Sequence, residues 1–427
     1  MGQHDVSRRT LLKGGGAMLA GATVAQVGGP ASAFAGEAAG DLLVDERSVG
    51  GKNPIPPGDG LPWLDQPDPL PPGAENLIGN QLQWEQLDSF FTPADNFFWA
   101  KHYNLPNLSP ASYRLTIDGL VDRPQSFTLD DLKRRPRRAV DFALECSGNT
   151  GLPFFIGGVG NARWVGTPLT PLLRRAQVQD TATEVVFWGA DEGTVTIRDN
   201  SGITGDGGRT GTVNPDGSLT ITEQFARSMK LEDAMNSDNL ICYEMNDVPL
   251  PPDHGFPVRL IAPGWYGVAN VKWLSRIEVI DQRFTGQFMA RDYVTIREDE
   301  SDHWTFRNVG HDRLKSAPAK VVHNAGQYTI VGVAWGAPIA AVEVRIDDGP
   351  WTRAELVGPR PKRRSHGFAW RFWTLTWPSP PTGEHAITSR AIDVDGNEQP
   401  APYDPVLAGK QTYWEANGWI TRRVAIS

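Results

Sequence analysis

The chain has 427 residues, 40% of them hydrophobic, with 45 Gly and 34 Pro, a composition that excludes a fibrous or disordered polypeptide and leaves room for two domains or more. Its formal net charge is −9 with both signs mixed, which excludes the broad positive field of a nucleic-acid or anionic-membrane binder and makes any anion site local. The two cysteines lie outside any C-x-x-C pair or C-x-x-C-H motif, so covalent haem, cysteine-ligated iron–sulfur clusters and multi-cysteine zinc sites are excluded from this chain.

Residues 1–35 read as an export leader of the twin-arginine type. Ser7-Arg8-Arg9-Thr10-Leu11-Leu12-Lys13 is followed by a weakly apolar run from Gly14 to Val27 and then by Ala31-Ser32-Ala33. The run is too short and glycine-rich for a bilayer core, which takes about 20 residues. Export to the periplasm or another extracytoplasmic space, with no stable membrane span, is therefore expected. That route carries folded proteins, so a cofactor bound before export is expected as well.

Residues 36–75 are rich in Pro, Gly and Asp and read as an extended arm leading into the fold. From 76 to 310, short β-rich runs such as Tyr113–Ile117 and Glu184–Trp188 mix with the helix-like stretch Leu169–Gln177, which predicts an α+β domain. Asp199–Ser218 has no apolar period and reads as a surface excursion. From 311 to 427 the pattern changes. Val342, Val344 and Ile346 alternate with charged residues, Asp348-Gly349 marks a hairpin turn, and further runs at Trp370–Trp373 and His385–Ile392 predict a β-sandwich of immunoglobulin type.

Cys146 follows the predicted strand Val140–Leu144 and precedes the turn formers Ser147-Gly148-Asn149-Thr150-Gly151. A thiolate at such a junction can bind a soft metal or act as a nucleophile. An inert buried thiol, or a disulfide to Cys242 in the interior-looking run Leu240–Tyr243, fits the same pattern. His102 and His254 each read alone as ordinary hydrogen-bonding residues. The chain shows no H-E-x-x-H pair, G-x-S-x-G elbow or phosphate-binding loop.

Longer motifs take the reading further. Leu144-Glu145-Cys146-Ser147-Gly148-Asn149 resembles the molybdenum-binding loop of the sulfite oxidase family. Thr92-Pro93 with Phe97-Phe98, Ala162-Arg163-Trp164-Val165-Gly166, Glu244-Met245-Asn246, Asp253 to Arg259, Pro263-Gly264 and Val271-Lys272-Trp273-Leu274 resemble further family segments in the same order. Ala369-Trp370-Arg371-Phe372-Trp373 resembles part of the family's C-terminal dimerisation domain, and the resemblance spans about Asn76 to Ser427.

The resemblance implies a molybdopterin-binding domain followed by an immunoglobulin-like dimerisation domain. It implies molybdenum held by a pyranopterin dithiolene and by the Cys146 thiolate, a soft ligand suited to a metal that changes oxidation state. His254, Arg259 and Lys272 would meet the cofactor phosphate. Phe98, Trp99, Ala100, Lys101, His102, Asp191, Asn270 and Val271 would line the rest of the cofactor, with Tyr293, Arg371 and Arg163 about the substrate.

Where the family carries two pocket arginines this chain has Ala100 and Gly151, with Lys101 or Arg163 as candidate replacements. The implied activity is oxidation of sulfite, or a related reduced sulfur anion, to sulfate, by a homodimer passing electrons to an external c-type cytochrome. A sulfoxide-type reductase with the same cofactor, and a non-catalytic subunit that kept the fold, are the alternatives.

Overall fold

The computed structural model describes residues 55–197, 212–214, 218–298, 303–359 and 367–427. The leader, the first part of the arm and most of the excursion Asp199–Ser218 lie outside these residues.

Alternation of apolar and polar residues builds the first domain's larger sheet. Leu115 and Ile117 of the strand Leu115–Gly119 point inward while Thr116 and Asp118 are half-buried. This strand pairs in parallel with Leu274–Ile280, which pairs with Glu184–Ile197 and so with Leu219–Lys230. The helix Leu169–Ala176 presents Leu169, Leu172, Leu173 and Ala176 along one stripe, and they pack with Leu115, Ile117, Val185 and Phe187 in one core.

A second sheet runs Val248–Pro249, Leu240–Met245, Val159–Pro168, Arg138–Glu145, with Arg259–Ile261 also paired to Leu240–Met245. Val159–Pro168 is buried along almost its whole length. Its hairpin partner Arg138–Glu145 delivers the chain into the loop 146–158, so this sheet carries the predicted metal loop.

The strand Lys315–Asn324 opens the C-terminal domain. One sheet contains Lys315–Asn324, Gln327–Trp335, Arg371–Trp377 and Glu355–Val357, and the other contains Ile339–Ile346, Gly383–Asp393 and Ile420–Ile426. Val321, Ile330 and Trp373 of the first meet Val342, Val344, Ile387 and Val424 of the second in a shared core, which makes the unit a sandwich.

The arm does more than lead into the first domain. Asp59–Leu61 adds an edge strand against Val321–His323, and Trp63 is buried in the sandwich core with its indole N–H donating to Ala319 O at 2.8 Å. The reason is energetic: an extended segment with one large aromatic gains most by pairing with a free sheet edge and burying that ring. Among the described residues no helix is long and apolar enough to cross a membrane.

Candidate active site

The loop 146–158 is fixed from both ends. Cys146 N donates to Gly158 O at 2.8 Å, Asn149 N to Cys146 O at 2.9 Å, and Gly158 N to the Asn149 side-chain oxygen at 2.9 Å. Asn149 Nδ2 in turn donates to Glu145 Oε1 at 2.8 Å. Both cysteines are free thiols, so the disulfide is not formed. Cys242 is fully buried among apolar side chains with its sulfur 3.2 Å from Glu244 O, an inert position. Cys146 is half-buried and opens onto a cavity. Burial pushes its thiol up to about 11, so it keeps its proton at neutral pH unless a metal draws out the thiolate.

The cavity behind Cys146 is lined by Phe98, Trp99, Ala100, Lys101, His102, Asp191, His254, Arg259, Asn270, Val271, Lys272 and Tyr293, so the cofactor residues expected from the sequence converge on one place. Its cations are held by carbonyls. Lys272 Nζ donates to Ala100 O at 2.7 Å and Asp253 O at 2.8 Å, and Arg259 to His254 O at 3.1 Å and Asn270 O at 2.9 Å.

Gly255, at φ +101°, lets these two stems approach, since a Cβ there would lie 3.0 Å from Lys272 and 3.1 Å from Arg259. Asn270 ties the turn by accepting from Ala262 N at 2.7 Å and donating to Trp265 O and Tyr266 O at 3.0 Å. Burial and then Arg259 drive the Lys272 ammonium down, and burial with Arg259 and Lys272 lowers His254 to about 3. Burial raises Asp191, whose Oδ1 finds no partner among the described residues.

A second, wider cavity of about 480 Å³ meets the first at Ala100, Lys101, His102, Cys146 and Tyr293. Tyr293 is buried, and its hydroxyl lies 2.6 Å from His102 Nε2. Burial, Lys272 and Arg227 lower His102 to about 3, and burial raises Tyr293, so both stay neutral across ordinary pH. Tyr293 stacks on Trp414 at 4.2 Å between ring centres.

Trp414 belongs to a strap from the C-terminal domain bonded onto the cysteine loop. Glu415 N donates to Ser147 O at 2.7 Å and Thr150 Oγ1 to Ala416 O at 3.2 Å. The strap explains Gly151, because a Cβ at that position would lie 2.0 Å from Tyr413 O. Backbone thus fills the place where the family resemblance leads one to expect an arginine side chain.

Two expected pocket residues lie elsewhere. Arg163 faces Asp141 across the hairpin, its Nε donating to Asp141 Oδ1 at 3.0 Å, and covers the Phe91 ring at 5.2 Å. The buried Arg371 donates to Pro359 O at 2.9 Å. Neither lines the two cavities: a strand's pleat fixes the direction of its side chains, and these two point to other partners. Conversely, Tyr413, Trp414, Phe225 and Phe288 line the cavities yet stand in no motif of the sequence that marks them for the site. The adjacent aromatics Tyr413-Trp414 are the available signal.

Comparison with known proteins agrees with this geometry. Residues 102–288 match the oxidoreductase molybdopterin binding domain and residues 314–421 the Mo-co oxidoreductase dimerisation domain. Sulfite oxidase of Gallus gallus is 30% identical over 349 residues, covering 75% of this chain and 70% of that protein. The chain belongs to the sulfite oxidase family of molybdenum-cofactor oxidoreductases.

Mitochondrial sulfite oxidase of Drosophila melanogaster is 31% identical over 386 residues, covering 81% of this chain and 62% of that one. The chain spans 59% of the mitochondrial sulfite oxidase of Homo sapiens, at 32% identity. The crystal structure of the sulfane dehydrogenase SoxCD from Paracoccus pantotrophus matches with a TM-score of 0.68 at 25% identity, covering 93% of this chain and 96% of that one.

The inner cavity fits the family's cofactor on its own chemistry. Arg259 and Lys272 converge without a carboxylate in hydrogen-bond contact, with the neutral His254 beside them as a further hydrogen-bonding group, which calls for an anion such as the cofactor phosphate. The unpartnered Asp191 Oδ1 calls for a donor, which a pterin ring supplies. Lys272→Met is therefore expected to lower molybdenum retention about tenfold or more after dialysis, since a charge-assisted bond contributes about 1.5–3 kcal/mol. Unchanged metal content in that variant would remove Lys272 from the phosphate site.

Proposed function

We propose that this chain is an exported homodimeric oxidoreductase that oxidises reduced sulfur by oxygen-atom transfer, with sulfite the reference substrate and an external c-type cytochrome the electron acceptor. The observation that carries the reading is Cys146 at the junction of a deep basic cavity and a wide outer one. The molybdenum cofactor, when bound, supplies a two-electron couple next to that sulfur. In the inner cavity His254, Arg259 and Lys272 anchor and orient it. With its Nε2 protonated, the neutral His102 donates to Tyr293 Oη and leaves the phenol proton free to hydrogen-bond an oxygen at the junction. Lys101 attracts the anion from the outer side. Net oxidation of sulfite takes one oxygen from water and releases two protons and two electrons.

Ala100 touches both cavities and is where an arginine would add charge. Ala100→Arg is expected to lower KM for sulfite more than it changes kcat, because the added contact grips ground state and transition state alike. Steady-state kinetics with a c-type cytochrome at fixed low ionic strength measures this. An unchanged KM would show that the outer cavity already holds sulfite well.

A further inference from the structure

The outer cavity carries more information about the substrate of a sulfur-oxidising centre at Cys146, and its use as a specificity site rests on that proposed function. Its volume of about 480 Å³ falls among sites that enclose molecules of drug size, about 300–1,000 Å³. Sulfite is a compact oxyanion that fills the room of only a few waters, at roughly 30 Å³ each. The wall is mixed, with Leu152, Phe155, Val195, Phe288, Tyr413 and Trp414 supplying an apolar part beside the polar Thr194, Thr196 and Gln287.

Among the described residues that line it, Lys101 and Asp292 carry the full charges, one of each sign, so the lining itself offers a dianion no net positive charge. Gln287 donates to Asp292 Oδ2 at 3.1 Å and keeps the carboxylate in the wall. Position 151 cannot supply a cation, because Tyr413 O occupies its side-chain space. The same strap sets the Trp414 ring against Tyr293, beside the junction with Cys146.

We propose that this cavity takes an organic sulfinate, R–SO₂⁻, whose apolar R group lies against Phe155, Phe288 and Trp414 while its single charge meets Lys101. A sulfinate is sulfite with one oxygen replaced by carbon. It keeps the lone pair on sulfur, loses one negative charge and gains an apolar body. The net reaction converts R–SO₂⁻ and water to R–SO₃⁻, two protons and two electrons. One sulfur–oxygen bond forms with the water oxygen, both O–H bonds of that water break, the protons pass to solvent, and the electrons leave singly to the external one-electron haem acceptor. Tyr413 and Trp414 set this specificity.

The test uses the full-length, molybdenum-loaded protein and compares benzenesulfonate with sulfate by titration calorimetry, both being products that cannot be oxidised further. Benzenesulfonate is expected to bind about tenfold tighter or more, because only it buries an apolar ring. Trp414→Ala is expected to weaken benzenesulfonate about tenfold and leave sulfate unchanged, and Trp414→Phe, which keeps a ring, to recover most of the loss. Sulfate binding as tightly as benzenesulfonate in the wild-type protein, or a loss shared equally by both ligands in Trp414→Ala, overturns the inference. Turnover of benzenesulfinate and sulfite against ferricyanide is read separately. A higher kcat/KM for sulfite overturns the inference and leaves sulfur oxidation standing; no oxidation of either compound overturns both.

Discussion

Lys315→Met is expected to destabilise the protein by about 3–5 kcal/mol, the cost of leaving one member of a buried ion pair alone. Lys315 is the first residue of the sandwich's opening strand, and Glu145 is the last residue of the strand that delivers Cys146. Their side chains are fully buried, with Lys315 Nζ 2.5 Å from Glu145 Oε1. Lys315 also donates to Asn149 O at 3.3 Å and Thr150 Oγ1 at 3.2 Å, and Trp335 Nε1 to Glu145 Oε2 at 2.9 Å. The C-terminal domain therefore grips the cysteine loop from behind. Removing the ammonium leaves a carboxylate served by neutral donors alone, in a place water does not reach. Thermal unfolding should shift downward by roughly 4–6 °C. The double variant Glu145→Gln with Lys315→Met should recover much of the loss, because it removes the stranded charge. A single variant as stable as the wild type would mean that the pair is not closed in solution.

Cys146→Ser is expected to leave a folded protein whose turnover falls by about a hundredfold or more. Changes to groups that only support a metal ligand already cost about 10–100-fold, and here the ligand itself changes from a soft thiolate to a hard hydroxyl. The fold should survive because the backbone bonds Cys146 N to Gly158 O and Asn149 N to Cys146 O do not involve the sulfur. Steady-state turnover alongside a thermal melt checks both halves. Retained turnover in a folded variant would remove Cys146 from the metal.

Much of the fold is legible in the sequence, for identifiable reasons. Strands such as Leu115–Gly119 and Ile339–Ile346 announce themselves by period-two alternation, and the helix Leu169–Ala176 by its apolar stripe. The cysteine loop and the His254–Lys272 segment are local in sequence, so their motifs carry their geometry. The family resemblance puts Arg371 at the pocket and offers Arg163 as a replacement charge, but cross-strand register gives Arg163 to Asp141, and Arg371 bonds the Pro359 carbonyl. The strap at Tyr413-Trp414 and the lock between Glu145 and Lys315 join residues far apart in sequence, through contacts no local pattern encodes. Gly151 shows the difference best. In the sequence it reads as a lost arginine, and in the fold it is the position the Tyr413 carbonyl leaves no room to fill.

A molybdenum centre held at Cys146 is tested most directly by metal analysis of the full-length protein, made with residues 1–35 in place in cells that synthesise the cofactor. The expected result is about one molybdenum per chain with a thiolate-to-metal absorption band, that band being lost in Cys146→Ser at equal metal content. Protein that is folded yet free of molybdenum, or a band that survives the substitution, would contradict it.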